Sequence, residues 1–118
     1  MESSPLVSII MNCLNGERYL RQAIDSVFNQ TYTEWEIIFW DNVSTDKSAE
    51  IAKSYGERVR YFKSTKTYPL GKARNLAIEK AQGDFIAFLF SIQSPRKIWS
   101  LAPDLVAAAE KMQEEMPE

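Results

Sequence analysis

The residues best placed for chemistry are Asp41 and Asn42. They close an apolar run, Glu36-Ile37-Ile38-Phe39-Trp40, and are followed by the small polar stretch Val43-Ser44-Thr45-Asp46. In an open α/β sheet, ligands bind just beyond the carboxyl ends of the strands. An acid at that place suits a nucleotide base or a sugar, because a carboxylate accepts hydrogen bonds from N–H and O–H groups. Asp also begins turns and caps helices, so the residue type leaves a purely local role open. Other chemistries are excluded. The chain has no histidine, which removes His-based triads and the commonest zinc sites. Its one cysteine, Cys13, rules out an intramolecular disulfide and fits a reducing compartment, so a cytoplasmic location is expected.

The elements that must position Asp41 follow from the apolar periodicity. Leu6 to Met11 reads as a buried strand, and Asn12 to Gly16 as a loop. From Glu17, residues Leu20, Ala23, Ile24, Val27 and Phe28 fall at helical spacing on one face. Ile37 to Trp40 is a second strand. Ser44 to Asp46 can cap a second helix, with Ile51, Ala52 and Tyr55 inside and a stop at Gly56. Val59 to Phe62 is a third strand, and Lys63 to Leu70 a loop. A third helix opens at Gly71, buries Ala73, Leu76, Ala77 and Ala81, and ends at Gly83. Phe85 to Phe90 is a fourth strand, apolar on both faces. Strands alternating with helices predict a three-layer α/β/α arrangement around a mostly parallel four-stranded sheet. After Phe90 comes a polar link, 91–97, and then a stripe of Leu101, Leu105, Ala108, Ala109, Met112 and Met116. That stripe predicts a C-terminal amphipathic helix, so the expected division is a domain at 1–90 and a tail at 91–118.

The chain has 118 residues, of which 45% are hydrophobic and 25% charged, with a formal net charge of -2. This suits one folded domain. Lys and Arg are scattered, which argues against a nucleic-acid partner. No apolar run approaches the length of a transmembrane span. The loop after the first strand holds only Gly16, so neither a dinucleotide fingerprint nor a Walker loop is present.

Several segments together resemble the opening of family 2 glycosyltransferases with the GT-A, Rossmann-like fold. These are Val7-Ser8-Ile9-Ile10-Met11-Asn12, Asn15 to Leu20, Ala23 to Val27, Gln30-Thr31-Tyr32, Glu36 to Asp46, Gly71-Lys72-Ala73-Arg74-Asn75 and Gly83 to Leu89. The likeness covers about residues 5 to 89. It implies a nucleotide-diphosphate-sugar donor, usually a UDP-sugar, and transfer of the sugar to a hydroxyl, as in polysaccharide biosynthesis. By position, the resemblance sets Asn12 and Leu14 beside the base, where the family often carries an aromatic in place of Leu14. Asp41 and Asn42 fall on the pair that contacts uracil and ribose. Arg74 falls on an arginine near the donor, where a guanidinium can meet phosphate. Val43 replaces a common glycine, which predicts a loop without a positive φ at that position.

The resemblance also implies an Asp-x-Asp motif directly after the fourth strand, holding Mg²⁺ or Mn²⁺ on the donor diphosphate. Phe90 and Ile92 stand where the acids belong, and a hard cation needs oxygen ligands. The chain is therefore expected to bind no metal of its own, to carry no catalytic residue, and to transfer weakly or not at all. An ending altered by a frameshift or truncation after Leu89 is one expectation. A short protein that keeps nucleotide binding is another. The competing class is a non-catalytic interaction module, with a homodimer expected from uncovered sheet edge and apolar surface. A phosphate-accepting receiver domain is set aside, because its acids would cluster after the first strand, where Asn12 and Asn15 stand.

Overall fold

β-branched and aromatic side chains dominate the four apolar runs, and each run forms a strand. The structure is a computed structural model that describes residues 5–89. Its elements are β1 (Val7–Cys13), α1 (Glu17–Phe28), β2 (Trp35–Asp41), α2 (Ser48–Lys53), β3 (Val59–Lys63), α3 (Leu70–Ile78) and β4 (Phe85–Leu89). The strands lie in the order β3-β2-β1-β4 and every pairing is parallel. The expected polar link and C-terminal helix, and the domain boundary after residue 90, lie outside the described residues.

Side chains alternate across a strand with period two. Val7, Ile9, Met11 and Cys13 of β1 join Trp35, Ile37 and Phe39 of β2 in a core closed by α1 and α2. Ile10, Ile38 and Trp40 point the other way, against Ala73 and Ala77 of α3. Two helices on one face and one on the other is what right-handed crossovers require here. The chain moves outward from β1 to β3 and then returns past β1 to β4.

Several boundaries differ from the expected ones. β1 continues through Asn12 and Cys13, because β2 supplies partners that far, with Asn12 opposite Trp40 and Cys13 opposite Asp41. Phe28 is 38% exposed; it packs edge-on to Trp35 with ring centroids 4.9 Å apart. α3 begins at Leu70 and stops at Ile78, and Ala81 packs beside the α3-face core from the turn that follows.

The opposite end of the sheet is tied by a buried polar cluster. Ser8 Oγ donates to Glu36 Oε2 at 2.6 Å, and the Gln82 amide donates to the same oxygen at 2.8 Å. Arg60 pairs with Glu36 Oε1 at 3.1 Å, and the Gly83 amide donates to Ser8 Oγ at 2.8 Å. This approach leaves no room for a side chain at 83: a Cβ there would lie 2.6 Å from Ser8 Oγ and 2.7 Å from the Leu6 carbonyl.

Candidate functional site

The direction of the crossovers reverses between β1 and β4. Open α/β sheets bind ligands at such a switch point, outside the carboxyl ends of the strands. Here that rim carries the end of β1 with Asn12, Leu14 just beyond it, and the β2–α2 loop one strand away.

Asp41 sits at the end of β2, as the sequence predicts, and its carboxylate is turned inward. The residue is 1% exposed. One oxygen accepts the Ser44 amide at 2.8 Å. The other accepts the hydroxyl of Tyr61, whose ring stacks on Phe39. The reason is parity: Asp41 lies two residues beyond Phe39 and opposite Cys13, so it faces the α1/α2 side. Burial and then the Asp41 hydrogen bond push the Tyr61 phenol well above its ordinary range. Burial is also the main reason that the Cys13 thiol is raised.

Asn12 and Arg74, also named from the sequence, belong to the α3 face. Asn12 points to that face, half-buried. Its neighbour across the strands is Trp40, 8% exposed, which in the sequence is one more member of the apolar run. Among the described residues, neither Asn12 Nδ2 nor Trp40 Nε1 has a hydrogen-bond partner, and both atoms are buried. Two adjacent buried donors of this kind call for an explanation. Leu14 is 40% exposed. The Arg74 guanidinium lies 5.2 Å from the centre of the Phe88 ring, and Phe88 is level with Ile10, two residues below Asn12.

Asn42 is buried and clamps the β3–α3 loop. Its Nδ2 donates to the Tyr68 carbonyl at 2.8 Å, and its Oδ1 accepts the Tyr68 amide at 3.0 Å. Lys66 and Lys72 stand 5.3 and 5.8 Å from the Tyr68 ring, giving this side of the rim positive charge. α3 starts here after Pro69 without a side-chain cap. Val43 adopts φ 70, so the loop keeps the left-handed conformation that a glycine would take; the expectation that Val43 would remove it is corrected. Asp46 does not cap its own helix through the cap position, which is Lys47. One Asp46 oxygen accepts the Ser48 amide at 2.9 Å and the other the Glu17 amide at 3.1 Å. These hydrogen bonds outweigh the opposing effect of burial and hold the Asp46 carboxyl below its ordinary range.

No group of three or more His, Cys, Asp or Glu among the described residues is placed to hold a metal ion. No described helix is long and apolar enough to cross a membrane.

Comparison with known proteins gives this geometry a family. The chain is 47% identical over 90 residues to an uncharacterized glycosyltransferase of Haemophilus influenzae, covering 74% of this chain and 36% of that protein. It is 37% identical over 90 residues to TuaG of Bacillus subtilis, described as a putative teichuronic acid biosynthesis glycosyltransferase, with the same two coverages of 74% and 36%. Among solved structures, S. aureus TarS in complex with UDP-GlcNAc matches with a TM-score of 0.67 and 27% identity, over 71% of this chain and 26% of that one. The chain thus spans about a third or less of the length of these relatives. The family model described as glycosyl transferase family 2 matches residues 8–89, the span that builds both the sheet and its rim, and the chain belongs to that family.

Proposed function

We propose that residues 5–89 seat the nucleotide of a UDP-sugar at the carboxyl rim of the sheet, on the α3 face, as the donor-recognition part of a glycosyltransferase. The observation that carries this reading is the pair of buried donors, Asn12 Nδ2 and Trp40 Nε1. A buried donor left without an acceptor costs about 1–3 kcal/mol. Carbonyl and hydroxyl oxygens of a base and ribose are acceptors of the right kind. The likeness to a structure holding UDP-GlcNAc supports the same choice.

In this reading Leu14 packs against the base and Asn42 holds the rim against Tyr68. Arg74, with Lys66 and Lys72, supplies positive charge for the diphosphate. Asp41 acts from the opposite face as a positioning residue, since its carboxylate fixes the turn at Ser44 that follows Asn42. The metal that the family resemblance implies finds no oxygen ligands at Phe90 or Ile92, and the described residues offer no acidic cluster. The chain is therefore read as binding the donor with little or no transfer, and metal-dependent turnover of a labelled UDP-sugar would contradict that part.

Calorimetric titration with UDP, GDP and dTDP tests the seat. UDP binding that is lost in Asn12→Ala, at unchanged melting temperature, is the expected result. Failure of all three nucleotides to bind the folded chain would favour the second reading, a non-catalytic interaction module. One observation favours that alternative: among the described residues β4 pairs only with β1, and Phe85 to Phe88 are half-buried. It carries the expectation of a homodimer, and light scattering that shows only monomer at low micromolar concentration would remove it.

A further inference from the structure

We infer that Asn15 is a positioning residue for this rim: its side-chain oxygen fastens the β1–α1 loop to the β2–α2 loop, and so sets the spacing between Asn12 and Leu14 on one side and Asn42 on the other. The inference rests on the nucleotide reading of the rim and adds a residue that touches no ligand.

Asn15 has φ 55, a left-handed conformation that Asn tolerates better than most residues. In this pose three donors converge on its Oδ1. They are the Thr45 amide at 2.7 Å, the Asp46 amide at 3.3 Å and the Thr45 hydroxyl at 3.4 Å. The Asn15 amide returns a bond to Ser44 Oγ at 2.9 Å. Further bonds join the two segments in both directions. The Gly16 amide donates to Ser48 Oγ at 3.0 Å, the Glu17 amide to Asp46 Oδ2 at 3.1 Å, and the Asn42 amide to the Cys13 carbonyl at 2.8 Å.

The consequence is geometric. The Gly16 and Glu17 amides at the start of α1 are spent on Ser48 and Asp46, so this end of the helix joins the two loops. The β2–α2 loop is held in a shape that includes Val43 at φ 70. A β-branched residue persists in that region only where its surroundings over-determine it. Asn15 is the one side chain of the β1–α1 loop that gathers several donors of the partner loop on a single atom.

Two substitutions separate the backbone role of Asn15 from its hydrogen-bonding role. Asn15→Gly keeps the left-handed backbone and deletes the oxygen; Asn15→Asp keeps an acceptor at the same place. On the full chain, UDP affinity is measured by calorimetry and amide hydrogen exchange is followed at Thr45 and Asp46. Asn15→Gly is expected to lose protection at both amides and to weaken UDP binding about tenfold, with its melting temperature nearly unchanged. Asn15→Asp is expected to recover most of the affinity. Equal UDP affinity in wild type and Asn15→Gly overturns the inference and leaves the nucleotide reading standing. Absence of UDP binding by the folded wild type overturns both. Should Asn15→Gly fail to fold, Asn15→Ser takes its place, because its shorter side chain withdraws the acceptor from the Thr45 and Asp46 amides. A weaker UDP affinity there supports the inference, and an unchanged one makes Asn15 purely structural and overturns it.

Discussion

Val43 and Asp41 show how single residues shape the rim. Val43 at φ 70 places a β-branched side chain where the Cβ crowds the backbone, at a cost of about 1–3 kcal/mol. Val43→Gly is therefore expected to stabilise the fold by about 0.5–1.5 kcal/mol after the entropy of glycine is subtracted. A thermal melt that rises by a few degrees checks it, and a lower one contradicts the strain. Asp41→Ala deletes the acceptor of two donors, the Ser44 amide and the Tyr61 hydroxyl. The expected loss is about 2–4 kcal/mol by urea titration. A loss under about 1 kcal/mol, with UDP affinity abolished, would restore Asp41 as a ligand contact and contradict its positioning role. The position of Asp41 at a strand end was legible in the residues, since an apolar run stops there. Its inward orientation was not, because parity assigns a face only once it is known which helices cover which side. Trp40 was hidden for the opposite reason: an indole inside an apolar run reads as core until its nitrogen is found without an acceptor.

At the scale of the elements, the alternation of strands and helices was written in the apolar periods, and all seven elements appear in the expected order. Their ends were not, because partners set them. Asn12 becomes strand through β2, and Asp46 serves α1 as well as its own loop. The junction of β1 with the α3–β4 turn depends on Gly83, and the backbone carbonyl of Leu6 cannot move aside for a methyl group. Gly83→Ala is expected to cost about 1–3 kcal/mol. A variant as stable as wild type would mean that the turn relaxes away from Ser8. Cys13, near the end of β1, gives a pH prediction. Burial raises its thiol in the folded chain, whereas an unfolded thiol ionises near pH ~8.5. Above that pH the unfolded state binds fewer protons than the folded one, so stability falls as pH rises. Urea titrations at about pH 7.5 and 9.5 should show the decrease, and Cys13→Ala should reduce it. An equal decrease in the variant would assign it to other groups.

On the scale of the whole molecule, one sheet divides two kinds of work. Its α1/α2 face encloses Asp41, Cys13 and the large apolar core, and holds the loops in place. Its α3 face carries Asn12 and Trp40 side by side near the carboxyl rim, with Asn42 at the rim and Arg74 over Phe88 two residues below. The central claim is that a nucleotide is recognised from this second face. The indole N–H signals in an NMR spectrum, assigned by single Trp→Phe replacements, test it directly, because Trp40 lies at the rim and Trp35 begins β2 at the far end on the other face. On adding UDP, the Trp40 indole signal is expected to shift with the Trp35 signal unmoved. A Trp40 signal that stays in place at saturating UDP would contradict it.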